Sequence, residues 1–339
     1  MLISLIVVAY NEEQELPDFF DCLLAQDYPL KQVELLLVDS ASTDDTRSCF
    51  KSFVEEHGWR FDTVHMLENP KRILPAGINV ALKKLQGDAV VRLDAHAEFP
   101  PNFLSQSVSI LAEGHDVVGG QRPCIDSVKT AWSGILWLLE ESLFGASIAA
   151  YRRAPQAGPV SSLFHGLYRR EVYERVGLYD ERLHRIEDND MSYRIRKAGY
   201  ELWFDPSIIS YQKIRPNFKA MLRQKYGNGF WIGRGLREQP ACISWYHLVP
   251  FVFLCALLLG LVVGCIFSCW WLLALVLIPY VLLTLCMTIL SLPRMPIATC
   301  YACLMPLLFF MLHISYGWGT ARGLVLSLIK PLEPKHTEL

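Results

Sequence analysis

The sequence predicts a parallel α/β domain followed by a region of transmembrane helices, and three observations carry that expectation. Charge is divided along the chain: of 32 Lys and Arg residues only Arg294, Arg322, Lys330 and Lys335 follow position 240, and of 34 Asp and Glu residues only Glu333 and Glu338. The apolar runs near the N-terminus are continuous rather than alternating, as in strands covered on both faces. Beyond position 240, three charge-free runs (246–267, 270–292 and 296–317) each approach the roughly 20 residues a helix needs to cross the bilayer core.

The first strand is expected over residues 3–9, which are β-branched and apolar, followed by helical spacing over 12–25 and a second apolar run over 33–38. This strand, helix, strand order is the βαβ unit of a parallel sheet. Further helices are expected over 44–57 and 75–85, the latter ended by Gly87 before a strand at 89–93. Ligands of such sheets sit beyond the carboxyl ends of the strands. Polar clusters occur at those ends: Tyr10-Asn11-Glu12-Glu13, Asp39 to Asp44, and Asp94-Ala95-His96-Ala97-Glu98. The turn after the first strand, Ala9-Tyr10-Asn11-Glu12, has no glycine, which argues against a dinucleotide-binding dehydrogenase. Acidic groups suit ribose hydroxyls, base N–H groups and a divalent cation instead. Asp94 and His96 can turn toward one metal if the chain leaves the sheet there, and two solvated loop residues fit the same spacing.

Val7-Val8-Ala9-Tyr10-Asn11-Glu12-Glu13, Val38-Asp39-Ser40-Ala41-Ser42-Thr43-Asp44-Asp45-Thr46, Asp94-Ala95-His96 and Glu187-Asp188-Asn189-Asp190, in this order, resemble the family 2 glycosyltransferases of the GT-A fold. The similarity spans roughly residues 1–235 and is nearest to bacterial exopolysaccharide enzymes of the succinoglycan type, which carry D-A-H where D-x-D is commoner. The resemblance implies a GT-A, Rossmann-like domain that binds a nucleoside diphosphate sugar. It places Ala9, Tyr10, Glu12, Asp39, Arg72, Gly77 and Asp94 at the nucleotide sugar, with Asp94 and His96 holding Mg²⁺ or Mn²⁺. Imidazole in place of a carboxylate favours Mn²⁺. Pro75 and Gly77 also fit plain helix building, and Glu98 fits a surface glutamate.

Inverting transfer needs a base at the acceptor hydroxyl and a cation on the leaving diphosphate. Glu187, Asp188 and Asp190 precede a helix expected over 191–198 and closed by Gly199. The family's E-D pair makes Asp188 the expected base and Glu187 the second candidate, while Asp190 or Asn189 suits N-capping. A helix N-terminus lowers a carboxylate's pKa and so weakens a base, which burial can offset. Phe144-Gly145-Ala146-Ser147 and His165 to Arg170 resemble family segments near the acceptor. His165 is a further candidate ligand, though a histidine beside glycine is more often structural. Residues 132–144 read as core packing or as a surface resting on the membrane.

Lys213, Arg215, Lys219, Arg223, Lys225, Arg234 and Arg237 occur without an acidic residue among them. This stretch is expected to lie at anionic headgroups, with Arg215, Arg223 and Lys225 meeting acceptor phosphates. Glycines 227, 229, 233 and 235 follow no strand and are not a nucleotide loop. The expected order is a cytoplasmic catalytic domain (1–212), a basic juxtamembrane segment (213–240), a region of about three spans (241–330) and a tail (331–339). The region before position 240 is expected to fold as a soluble unit. A multi-pass protein of the inner (plasma) membrane with its catalytic domain in the cytoplasm follows, since the cations precede the first span. Three spans leave the basic tail outside, and a re-entrant or interfacial segment would restore consistency. Seven of the ten cysteines fall at or after Cys242 and read as small apolar residues. Gln224-Lys225-Tyr226-Gly227-Asn228 lacks the arginine and tryptophan of the Q-x-x-R-W motif of processive synthases. Transfer of a single sugar to a polyprenyl diphosphate-linked saccharide is therefore expected, and the family resemblance implies a UDP-sugar, UDP-glucose first, as donor. Transfer to plain polyprenyl phosphate, and an idle nucleotide-sugar-binding subunit, are the alternatives; nucleic acid is not an expected partner.

Overall fold

A computed structural model describes residues 1–145, 154–294 and 300–332. Ala146, Ser147, the start of the third expected span (296–299) and most of the tail lie outside the described residues. The chain divides into two compact units, Met1–Pro123 with Ala149–Lys213, and Cys124–Ile148 with Ile214–Leu339.

In the first unit the expected strands form: β1 (Ile3–Ala9), β2 (Val33–Asp39) and β4 (Ala89–Asp94), joined by β3 (Thr63–Glu68). With β5 (Val117–Gln121), β6 (Gly158–Val160), β7 (Leu167–Arg169) and β8 (Leu202–Ile209) they make an eight-stranded sheet ordered β3-β2-β1-β4-β7-β5-β8-β6. β1 runs parallel to β2 and β4, and β7 runs antiparallel between β4 and β5. Successive side chains of a strand point to opposite faces. Ile3, Leu5, Val7 and Ala9 of β1 accordingly join one core with Phe19, Leu23, Phe50 and Phe53. Ile6 joins the other with Ile78, Ala81, Met191 and Ile195. Both faces are covered, which explains the continuous apolar strands.

The covering helices are α1 (Leu16–Leu24), α2 (Thr46–His57), α3 (Leu74–Leu82) and α4 (Phe103–Ala112). α1 starts later than expected because Glu12 opens a turn, Glu15 and Leu16 both donating to its carbonyl at 3.0 Å. Pro at the start of α3 fits a helix opening. Gly77 is needed for another reason: a Cβ there would lie 2.6 Å from Val8 Cγ1.

The second unit contains α5 (Ala131–Glu141), and later α8 (Phe218–Glu238), α9 (Val249–Phe267), α10 (Trp271–Ser291) and α11 (Met305–Ile329); α6 (Arg170–Val176) and α7 (Glu187–Lys197) belong to the first unit. Ile135, Leu136, Leu138 and Leu139 of α5 share a core with Met221 of α8 and with Met305, Leu308, Phe309 and Leu312 of α11. α5 is thus core, the first of its two readings.

Three described stretches, Trp245–Phe267, Trp271–Arg294 and Cys300–Ile329, are long and apolar enough to cross a membrane. The first two match the expected runs. The third corrects one: its helix continues past Gly317 to Ile329. Gly317, Gly319 and Gly323 are packing positions in this helix. A Cβ at Gly319 would lie 2.2 Å from the Tyr226 carbonyl oxygen of α8, and one at Gly323 2.0 Å from that of Phe230.

Candidate active site

Strand register sets the site. Ala9 pairs with Asp39 and Val8 with Asp94, so the ends of β2, β1 and β4 lie side by side. The loops that follow are tied together by short-range hydrogen bonds. Thr43 N donates to Asn11 Oδ1 at 2.8 Å, Glu12 N to Thr46 Oγ1 at 2.8 Å and Asp45 N to Glu13 Oε2 at 2.8 Å. Asp39, largely buried, accepts from Ser42 N at 3.1 Å. Asn69 donates to Ser40 Oγ at 3.0 Å and to the Ile73 carbonyl at 2.9 Å, which holds the Arg72 turn beside β2. Asn11, Ala41, Arg72 and His165 all have left-handed backbone, φ 55°, 53°, 59° and 48°. Such strain in non-glycine residues persists where surrounding contacts over-determine it, and it gathers at functional sites. Tyr10 and Arg72 are exposed, Ala9 and Gly77 buried.

β4 ends in the charged centre. Asp94 Oδ2 accepts from Arg122 Nη2 at 3.1 Å and lies 3.4 Å from His165 Nε2, while Arg92 Nη2 stands 3.8 Å from Oδ1. Burial alone would raise the Asp94 carboxyl, but the His165 hydrogen bond and the charges of Arg92 and Arg122 outweigh it and hold the group well below the usual carboxylate range. His165 is buried, which lowers its pKa to about 4 against the pull of Asp94, so the ring is neutral near pH 7. Its Nδ1 is 3.0 Å from Ser210 Oγ. The Arg122 guanidinium lies 3.5 Å from the centre of the Phe164 ring, a cation–π contact.

His96 meets Glu12, with Nδ1 3.1 Å from Oε1. A carboxylate on one imidazole nitrogen fixes the ring and raises the basicity of the other, the arrangement common behind metal-bound histidines. Glu12, expected at the nucleotide, therefore also orients His96. Asp94 and His96 offer a hard oxygen and a borderline nitrogen, a donor pair that fits Mn²⁺. Among the described residues no three His, Cys, Asp or Glu side chains form a metal cluster. An ion here would need ligands from a bound diphosphate as well.

The E-D pair opens α7, with Glu187, Asp188 and Asp190 in its first turn, so the helix begins before the expected 191. Arg92 clasps Asp188 with two parallel hydrogen bonds, Nη1 to Oδ1 at 2.9 Å and Nη2 to Oδ2 at 3.0 Å. Glu187 is buried, and Oε2 has no hydrogen-bond partner among the described residues. Burial and the neighbouring Asp188 charge push its carboxyl up to about 8, against the pull of Arg92. Asp190 pairs with Arg194 at 2.8 Å, and no side chain caps the helix, so the N-capping reading of Asp190 and Asn189 is replaced by an ion pair along the helix. Glu98 pairs with Lys213 at 3.4 Å and is a surface glutamate.

The sequence reading missed Arg92, Arg122 and Phe164. Arg92 alone had a signal: a single cation inside the apolar strand Ala89–Asp94 must have a buried partner.

The seven cations of 213–237 separate into groups. Lys213 is held in the first unit by Glu15 at 2.6 Å and Asp18 at 2.9 Å. Lys225 pairs with Glu140 at 3.0 Å, and Arg234 and Arg237 donate to the carbonyls of Lys330 and Ser327. Arg215, Lys219 and Arg223 have no ion-pair partner among the described residues, and Lys219 and Arg223 are exposed.

Residues 4–177 match the family model described as Glycosyl transferase family 2. The chain is 26% identical over 337 residues to the dolichyl N-acetyl-alpha-D-glucosaminyl phosphate 3-beta-D-2,3-diacetamido-2,3-dideoxy-beta-D-glucuronosyltransferase of Methanococcus voltae, covering 95% of this chain and 97% of the relative. It is 29% identical over 253 residues to succinoglycan biosynthesis protein ExoA of Rhizobium meliloti, covering 73% and 74%. Among solved structures it resembles a mannosyltransferase of Pyrobaculum calidifontis in complex with GDP-Man and Mn²⁺, with TM-score 0.56, 19% identity, and coverage of 97% of this chain and 86% of the other.

Proposed function

The chain belongs to glycosyl transferase family 2, and from that premise we propose that it moves one sugar, with inversion, from a nucleoside diphosphate sugar to a polyprenyl-linked saccharide at a membrane. The observation that carries this reading is the row of Asp39, Asp94 and the Arg92-held Asp188 at one end of a sheet, in a chain that also bears three membrane-length apolar helices. Asp39 would read the nucleotide, within a loop frame held by its own hydrogen bonds. Asp94 and His96 would hold a divalent ion, Mn²⁺ or Mg²⁺, whose charge offsets that of the departing diphosphate.

Asp188 is assigned as the base. Glu187 is buried with its carboxyl pushed up to about 8 by that burial and the neighbouring Asp188 charge, whereas both carboxyl oxygens of Asp188 are oriented by the Arg92 guanidinium. Arg92 reaches both Asp188 and Asp94, so one buried cation positions the acceptor carboxylate relative to the donor carboxylate. Arg215, Arg223 and Lys225 are assigned to acceptor phosphate, and placement in the inner membrane with a cytoplasmic catalytic domain accompanies this reading. The lipid-linked acceptor is supported by the Methanococcus voltae relative, which is named for a dolichyl-linked sugar phosphate.

The test is a donor screen on the full-length protein in lipid, read by released nucleoside diphosphate, with UDP-glucose first. Acceptor arms should include polyprenyl phosphate, a polyprenyl monophosphate saccharide and a polyprenyl diphosphate saccharide. Product recovered in the lipid phase with a saccharide acceptor supports the proposal. Equal activity on plain polyprenyl phosphate would favour the simpler acceptor, and release without any lipid product would reject both.

A further inference from the structure

α9 and α10 form an antiparallel hairpin. A Cβ at Gly260 would lie 3.0 Å from Leu273 Cα, and one at Gly264 2.6 Å from the Trp270 ring, so these glycines let the two helices close on each other. Beyond Leu254, the buried positions of α9 are Gly260 and Gly264, and both face α10. Toward the tip the hairpin shows Leu258, Leu259, Val262, Ile266 and Phe267 outward. Trp270 and Trp271 stand at the tip, and Trp245 precedes the base, as aromatic residues do at the two interfaces of a bilayer.

α11 meets this hairpin near its base. Gly317 packs on the Pro250 carbonyl and Leu254, Phe310 on Phe253 and Tyr280, and His313 Nδ1 lies 2.9 Å from Tyr280 Oη. At 1.5 Å per residue, roughly 20 Å of α9 extends past Leu254 to the tip. The rest of α11 is bound elsewhere. Its first half is in the core with α5.

Its second half runs parallel to α8 at backbone contact. Gly319 meets the carbonyl of Tyr226 and Gly323 that of Phe230, while Gly229 and Gly233 of α8 meet those of Tyr316 and Thr320. Arg234 and Arg237 then bond the carbonyls at the end of α11. This is the small-residue packing that lets helices approach most closely. It also fixes the depth of α11 to that of α8, which carries Lys219, Arg223, Lys225, Arg234 and Arg237. A helix with so many cations does not sit in hydrocarbon. The outward face of α11 nevertheless presents Trp318, Val325, Leu328 and Ile329, and Arg322 bonds Tyr226 Oη at 2.7 Å. Apolar side chains beside a cationic partner helix describe a pair lying in the headgroup layer.

We propose that only α9 and α10 cross the bilayer, and that α11, though long enough to span it, lies with α8 in the interface on the side from which α9 enters. The proposal rests on reading the apolar helices as membrane-embedded. It removes the conflict between three spans and the basic tail, since two crossings return Lys330 to the face of Lys219 and Arg223.

The experiment uses the full-length protein in sealed membrane vesicles of both orientations, with one epitope before Met1 and another after Leu339. Protease access reports the face of each epitope. A membrane-impermeant maleimide reports the hairpin tip through native Cys265 and Cys269, with the C265S/C269S double variant as control. Both epitopes should be digested in the same orientation. Labelling that disappears in the double variant should come only from the opposite face. Epitopes on opposite faces would mean that α11 crosses, overturning the proposal. So would a tip labelled from the epitopes' face in a protein that resists alkaline extraction. Release of the protein by alkali would instead reject the membrane reading beneath it.

Discussion

Arg92 grips both carboxylate oxygens of Asp188, whereas Glu187, one residue earlier, is buried with its carboxyl pushed up to about 8. The two adjacent carboxyls thus sit in different environments, a separation by which a site divides roles between two acids. Asp188→Asn should leave donor binding nearly unchanged by calorimetry and lower turnover by about 10²–10⁴-fold, the usual contribution of a positioned base. Near-normal turnover in that variant would pass the role to Glu187. Stability should also carry the mark of Glu187. An unfolded glutamate ionises near 4.5 and the folded one near 8, so between those values the native state binds more protons than the unfolded state. Stability should therefore fall as pH rises through that window, and Glu187→Gln should flatten the slope in denaturant titrations across it. The E-D pair, Asp39 and Asp94 were legible in the sequence because each follows a strand or opens a helix. The partners of Asp94 were not: Arg122 and His165 come from distant loops that only the fold brings to β4.

Helices and strands of the first unit were readable because a sheet covered on both faces leaves continuous apolar runs. The end of the third apolar helix was not. The expected run ended at 317, and although glycine usually weakens a helix by about 1 kcal/mol, Gly317, Gly319 and Gly323 are contact points that only the partner helices reveal. Gly323→Leu should accordingly disrupt the α8–α11 pair, since even a Cβ would lie 2.0 Å from the Phe230 carbonyl oxygen. The melting temperature of the detergent-solubilised variant should drop by several degrees or more. Gly158→Ala, where a Cβ meets nothing within 4 Å, should shift it little. Equal melting temperatures for the two variants would show that the seam contributes nothing.

The charge asymmetry of the whole chain suggested that everything before position 240 would fold as a soluble unit. The structure corrects this. Ile135, Leu136, Leu139 and Met221 lie before that position, but their core is completed by Met305, Leu308, Phe309 and Leu312 of α11. Burying a large apolar side chain contributes about 1.5–3 kcal/mol, so losing these four partners removes an amount comparable to the roughly 5–15 kcal/mol that holds a domain folded. A chain ending at Glu238 should aggregate or fail to melt cooperatively, rather than remain in solution as a donor-binding domain. Solubility with full donor affinity would contradict the shared core. Composition revealed two solvents along the chain; it could not show that a segment from the middle of the chain, 124–148, packs with helices from its end.

The central claim is a single displacement at the sugar with Asp188 as base, and the anomeric configuration of the product tests it most directly. The full-length protein in lipid would be given an α-linked nucleoside diphosphate sugar and a polyprenyl-linked saccharide. The lipid-soluble product would then be read by the proton coupling at its new anomeric centre. A β-linked product, absent with Asp188→Asn, is the predicted result. An α-linked product would mean two displacements or a different geometry, and would contradict the assignment of Asp188.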